Sequence, residues 1–310
     1  VYKRQINTQQ PRRRMRTARR PISWPGWAAR RRSRFCANMG SVARMNNSRA
    51  LPAALLALVI PAFFVVGGPL LGLLLNIPWA RAWELVAAPE VLTSLVLSLG
   101  TAAIATLLST LLGVPLALWL VQLECRLPRV AQLAQLLVYA PLVLSPVVSG
   151  LALIYFWGRQ GLLGSLLHSA GVNIAYTTSG VVAVQVFVSM PFLVATAVTA
   201  LRDIPQSVTD AAAVDGAGRW QRLWLVVLPL AWPGILVGLV LAFARSLGEY
   251  GATLTFAGNV AGQTRTIPLL IELGLSSNDM DRALGACLVL LGVYAVSYTH
   301  LRAHETDSYL

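Results

Sequence analysis

The sequence predicts an all-α, polytopic membrane protein with about six transmembrane helices. Three observations carry that expectation. Apolar residues make up 56% of the 310 positions and charged residues only 12%, against roughly 25% charge in an ordinary soluble domain. Five apolar runs each reach the ~20 residues needed to cross a bilayer. Prolines recur inside those runs, at Pro61, Pro115, Pro141, Pro146, Pro191 and Pro233. In a soluble helix each would break a hydrogen bond at a cost, whereas membrane helices tolerate them because neighbouring helices re-satisfy the freed backbone.

The chain opens on a basic stretch. Residues 1–49 hold 13 arginines and Lys3 with no acid, a charge of +14, while the other 261 residues hold 11 basic and 12 acidic groups, a charge of −1. VYKRQ at 1–5 and SYTHLRAHET at 297–306 both read as translations of a transposase-type sequencing adapter. The expected division is therefore a basic leader over 1–44, a transmembrane domain over 45–296 with Met45 as the first candidate for the natural start and Met15 and Met39 as the others, and an adapter-derived tail over 297–310; a genuine basic cytoplasmic tail is the other reading of the leader. A nucleic-acid partner would rest on the leader alone, where only Trp24, Trp27 and Phe35 interleave the arginines, so none is expected.

The apolar runs follow in order. They cover 51–76, 93–121, 133–157, 177–200 and 225–248, and a sixth begins at Ala283 and reaches 14 residues before the suspected tail, which makes it a truncated span. On the second, Gly100, Ala102, Ala103 and Ala105 are small enough for close helix contact. Orientation follows from arginines near the span ends. Arg126, Arg129, Arg202, Arg219 and Arg222 lie in the 122–132 and 201–224 loops, against Arg81, Arg159, Arg265 and Arg282 on the opposite side. Arg44 and Arg49 add to the first group, which places both termini and the 201–224 loop in the cytoplasm.

Several chemistries are excluded. Lys3 is the only lysine, so no GxxxxGK[ST] phosphate loop exists and the chain does not hydrolyse nucleotide by that mechanism. Cys36, Cys125 and Cys287 are odd in number and far apart, and suggest neither a disulfide framework nor a zinc site. His168 is the only histidine before the last eleven residues and reads as a surface-loop residue. An intramembrane enzyme is a remote alternative. It would need paired polar catalytic groups within the spans, yet the spans hold no histidine and no inward pair of aspartates. No catalytic residue, metal or cofactor is expected.

Between the fourth and fifth spans the chain reads RDIPQSVTDAAAVDGAGRWQRLW. Ser207 or Thr209 is placed to cap a short helix, Asp210 to sit in its first turn where negative charge suits the dipole, and Ala211–Ala213 to make it narrow and strongly helical. Gly216 permits the turn that ends it. The spacing of Asp210, Ala211, Ala212, Gly216, Val226, Leu228 and Pro229 resembles the signature loop of bacterial ABC-importer permeases, EAA-x3-G-x9-I-x-LP, with Asp for Glu and Val for Ile. The resemblance implies a coupling helix that docks on a cytoplasmic ATPase subunit, with Arg219 and Arg222 exposed to that partner's acidic rim. A plain amphipathic connector is the other reading.

A second stretch, FARSLGEYGATLTFAGNVAGQTRTIPLLI over Phe243–Ile271, resembles molybdate permeases, and more loosely those for sulfate and tungstate. The resemblance covers roughly residues 50–296. It implies a homodimer in the bacterial inner membrane, a periplasmic or lipid-anchored oxyanion-binding protein docking on the 77–92, 158–176 and 249–282 loops, and alternating access driven by a partner's ATP hydrolysis. Sulfate, thiosulfate or tungstate is the alternative cargo. Arg245 and Glu249, four apart on one helix face, form either part of an anion path or gate or an intrahelical ion pair. Thr253, Thr255 and Asn259 either donate hydrogen bonds to a passing anion or shape a turn.

Overall fold

The computed structural model describes residues 53–307, with side chains described over 58–296. The expected leader over 1–44 and the last three residues lie outside the described part. Among the described residues every regular element is helical, and two units are resolved, one ending at Asn76 and one starting at Ile77.

The first unit is α1 (Ala53–Leu75), which contains Pro61 and Pro69. Its Leu58–Leu75 stretch has mean hydropathy 2.4 and no buried residue. Asn76 Nδ2 donates to Gly72 O at 2.8 Å and closes its last turn. A helix that is apolar all round is a membrane helix or a core helix.

The second unit begins with a 3₁₀ turn over Trp79–Arg81 and the short α2 (Ala82–Val86), which lead into α3 (Pro89–Arg126). Next come α4 (Pro128–Val143), α5 (Pro146–Trp157), α6 (Gly164–Ser169) and α7 (Thr178–Arg202). The loop elements α8 (Gln206–Val214) and α9 (Arg219–Arg222) precede a π turn over Leu223–Val227, which runs into α10 (Leu228–Leu247). The chain continues through α11 (Gly251–Ala257), α12 (Ile267–Ser276) and α13 (Met280–Asp307).

Among the described residues four helical stretches are long and apolar enough to cross a membrane: Leu58–Leu75, Pro89–Arg126, Thr178–Arg202 and Arg219–Leu247. The third expected span differs from the sequence reading. Instead of one helix over 133–157, α4 and α5 are separate, with Leu144 and Ser145 extended at ψ 138° and 151°. The physical reason is Pro146, which disfavours helical backbone at the residue before it. Ser145 Oγ then accepts from Val148 N and starts a new helix with Pro146 at its first position, a favoured arrangement. Pro141 sits inside α4 without ending it. The sixth run is helical from Met280, and its backbone continues to Asp307.

The core centres on α7. Over its apolar 18-residue stretch 56% of residues are buried, against 33% over that of α3 and 22% over that of Arg219–Leu247, which makes α7 the inner helix. Leu120 and Ala117 of α3, Val194, Ala197 and Val198 of α7, and Ala231 and Ile235 of α10 form one apolar cluster. Close approach of α10 to α7 depends on Gly234 and Gly238, four apart on one face. A Cβ on Gly234 would overlap Ala200 Cβ, and one on Gly238 would overlap Thr196 Oγ1 and lie 3.1 Å from Leu193 Cα. This is small-residue packing of the kind that membrane helices use. The expected small-residue contact on α3 is only half correct. Ala102 and Ala105 are fully buried, but Gly100 and Ala103 face outward, and a Cβ on Gly100 would meet nothing within 4 Å. The buried stripe of α3 runs instead through Ser94, Ser98, Thr101, Ala105, Ser109 and Gly113, steps of three and four that keep one helix face.

Candidate functional site

The loop between α7 and α10 is built by its prolines and glycines. Pro205 is extended, at φ −63° and ψ 133°, and stands as the cap residue of α8 without a side-chain hydrogen bond. Neither Ser207 nor Thr209 caps the helix. Thr209 Oγ1 instead donates to Gln206 O at 2.8 Å. Because Pro205 starts the helix at Gln206, Asp210 falls in the second turn and not the first. Asp210 therefore gains little from the helix dipole, whose effect fades beyond the terminal turn.

The other end of α8 follows the expected chemistry. Gly216 has φ +86°, the left-handed region that glycine enters without a Cβ penalty. Gly216 N donates to Ala213 O at 3.1 Å and Ala217 N to Ala212 O at 3.0 Å. Those two bonds make a Schellman motif, which satisfies carbonyls the helix end would otherwise leave open. Gly218 N then donates to Gln221 Oε1 at 2.8 Å, which fixes the start of α9. Pro229 has no N–H for the carbonyl four residues back, and the helix widens into the π turn just before it.

These constraints leave α8 with no buried residue. Asp210, Ala211, Gly216, Arg219 and Pro229 are exposed, Ala212 and Val226 half-buried, and Leu228 packs on the α3–α7–α10 core. Two residues the sequence reading passed over, Val214 and Trp220, are 87% and 73% exposed beside the glycine turn. The signal was present in the apolar and aromatic side chains on either side of Gly216. Underneath, Arg202 of α7, Glu124 of α3 and Gln135 of α4 form one polar cluster, with Arg202 Nε donating to Glu124 Oε2 at 3.0 Å.

The second motif lies at the far end of α10. Arg245 Nη1 pairs with Glu249 Oε2 at 2.5 Å, the Arg side chain being 31% exposed and the Glu 1%. Glu249 Oε1 also accepts from Ala252 N at 2.9 Å, so the carboxylate closes the end of α10 and the start of α11 together. Thr253 is buried and its Oγ1 has no partner. Thr255 Oγ1 donates to Gly251 O at 2.8 Å, and Gly150 of α5 lets α11 approach so closely that a Cβ there would lie 2.6 Å from Thr255 Cβ. Asn259 Nδ2 donates to Leu269 O at 2.9 Å, and its Oδ1 accepts from Arg265 Nε at 2.8 Å. In this conformation Thr255, Asn259 and Glu249 are thus bonded to the protein itself. The reading from sequence also passed over Gln185, a lone amide in an apolar run. It is buried on α7, and its Nε2 donates to Ser246 O at 3.2 Å.

At the same end, Arg81 pairs with Glu84 at 3.2 Å and Asp281 at 3.0 Å, and Arg282 with Glu90 at 3.1 Å. The hydrogen bond that Arg81 donates to Glu84, joined by the one it donates to Asp281, raises the pKa of its guanidinium above the ordinary value. His168 is exposed as expected, but it stands in the last turn of the short helix α6 and not on a loop, with its Nδ1 2.8 Å from Asn173 Oδ1. Among the described residues no group of three His, Cys, Asp or Glu converges as metal ligands would.

Residues 113–302 match the family described as the binding-protein-dependent transport system inner membrane component. The chain belongs to this family. It is a multi-pass inner-membrane component, and its place is that of a permease subunit. The chain is 46% identical over 237 residues to the molybdenum transport system permease protein ModB of Mycobacterium tuberculosis, covering 76% of this chain and 88% of that one. It is 43% identical over 176 residues to ModB of Escherichia coli K12, covering 56% and 76%. The sulfate transport system permease protein CysT of Escherichia coli K12 is 32% identical over 253 residues, covering 80% and 90%. The fold is shared with a bacterial ABC transporter that imports the acidic polysaccharide alginate, at a TM-score of 0.65 and 21% identity, over 85% of this chain and 99% of that one.

Proposed function

We propose that this permease is the translocating subunit of an ATP-driven oxyanion importer whose cargo is molybdate. The observation that carries the mechanism is the exposed helix α8, closed by a glycine at φ +86° and standing between two long apolar helices. Its surface of Asp210, Ala211, Ala212, Val214, Gly216 and Arg219, followed by Val226, Leu228 and Pro229, suits docking on a cytoplasmic ATPase. The chain has no nucleotide-binding loop of its own, and the motor is a partner. Closure of two ATPases would move two such helices together in a homodimer. The ligand-free and docked states differ only if docking favours one of them energetically. Both termini and the α8 loop are cytoplasmic in this reading, and a periplasmic or lipid-anchored binding protein docks on the outer loops, where Arg81, Arg282 and their acidic partners lie.

The cargo rests on the higher identity to molybdenum permeases, 43–46%, than to sulfate permeases, 32–37%. Arg245, Glu249, Thr253, Thr255 and Asn259 border the pathway in this reading. Glu249 acts there as a joint between α10 and α11, and the half-exposed Arg245 supplies the positive charge. The test is uptake of radiolabelled molybdate into cells lacking their own transporter, which express the permease with its ATPase and binding protein. Uptake that excess sulfate leaves intact is expected. Uptake blocked by modest sulfate would replace the cargo and leave the architecture.

A further inference from the structure

A cavity of about 550 Å³ lies between the inner end of α3 and the α8–α9 loop. Its polar lining is Arg126 and Gln122 from α3, Gln206 and Thr209 from α8, and Arg219 and Arg222 from α9, over an apolar floor. No carboxylate lines it. None of the three guanidiniums has an ion-pair partner among the described residues, and the acid closest along α3, Glu124, is held by Arg202. Arg222 Nε is cut off from solvent and has no acceptor. A buried donor without a partner is costly, and three like charges around one cavity repel within the ~8 Å screening length of physiological salt. A phosphate-like group in the cavity answers the repulsion, because the terminal nitrogens of guanidinium forks fit tetrahedral oxyanions in paired hydrogen bonds.

We infer that this cavity binds a tetrahedral oxyanion group, either a free dianion or the phosphate of an anionic lipid headgroup, and that the bound group ties the α8–α9 loop to α3. Arg126 holds it from the end of the span, and Arg222 and Arg219 hold it from the loop. Gln206 and Thr209 complete the wall from α8. The occupant therefore bridges the docking loop and a membrane helix, and its presence stiffens the loop. Binding here depends only on the cavity and its charge, and so it is independent of the cargo.

The test is amide hydrogen exchange over residues 206–227 of the full-length permease, assembled with its ATPase, in neutral phosphatidylcholine nanodiscs. Inorganic phosphate is compared with chloride at equal ionic strength, and a second preparation contains phosphatidylglycerol without added phosphate. Roughly tenfold slower exchange over the loop is expected in at least one of these two. Slowing by free phosphate assigns the soluble ion, and slowing by phosphatidylglycerol alone assigns the headgroup. Arg126→Gln, an exposed change outside the loop, should remove the slowing, and Arg222→Lys should weaken it. Exchange unaffected by either anion, or slowed equally in Arg126→Gln, would overturn the inference.

Discussion

Replacing Gly216 separates what the loop needs for its own shape from what a partner needs of it. At φ +86° an L-residue with a Cβ is strained, by about 1–2 kcal/mol for a non-glycine residue in the left-handed region. That is roughly a 5–30-fold loss of the closed helix end relative to open forms. A Cβ on Gly216 meets nothing within 4 Å in this chain, so alanine and glutamate carry the same backbone penalty here. Asparagine, which tolerates this region, carries less. If the loop seats in a groove on an ATPase, glutamate adds a clash and a charge that alanine does not. Cargo uptake at matched membrane levels should therefore rank glycine above asparagine, asparagine above alanine, and alanine far above glutamate, with Gly216→Glu inactive. Co-purification of the ATPase should fall in the same order. Equal activity of the Ala and Glu variants, or normal uptake by Gly216→Glu, would refute the docking argument.

Three further outcomes follow from the packing. Gly238→Leu should cost about 1–3 kcal/mol through overpacking, since a Cβ there already overlaps Thr196 and crowds Leu193; thermal unfolding in detergent reads it, while Gly100→Ala, facing open space, should be neutral. Arg245→Met should cost about 3–5 kcal/mol because it strands the buried Glu249 carboxylate, and adding Glu249→Gln should recover most of the loss, since glutamine still offers an acceptor to Ala252 N; no recovery in that double variant would show the charge pair to be unimportant. Ser98→Ala should cost about 1–3 kcal/mol by orphaning Ile267 N, which donates to Ser98 Oγ at 2.7 Å, and faster exchange at that one amide would report it.

Hydropathy made the long helices legible, because the ends of α3, α7 and α10 fall within about five residues of the ends of their apolar runs. The break between α4 and α5 was not read, although Ser145-Pro146 is a helix-start pair. The six prolines give the same signal in sequence, and only the one preceded by a capping serine divides its span. Pro205 misled in the same way. It fixes the start of α8 one residue before Ser207 and moves Asp210 out of the first turn. The glycine turn at Gly216 was legible because a positive φ has few candidate residues. The partners of Asn259 were not, because Leu269 O and Arg265 reach it only through the course of the loop that joins α11 to α12. The arginine-lined cavity was equally hidden, since Arg126 and Arg222 are far apart in sequence and neither pattern nor period brings them together.

The most direct test of the account is uptake of labelled molybdate into proteoliposomes that hold the full-length permease and its ATPase, with ATP inside and loaded binding protein outside. The account predicts that accumulation and ATP hydrolysis rise together, and that both are lost with Gly216→Glu while the permease stays in the bilayer. Molybdate accumulation that continues without ATP, or ATP hydrolysis indifferent to the loaded binding protein, would contradict it.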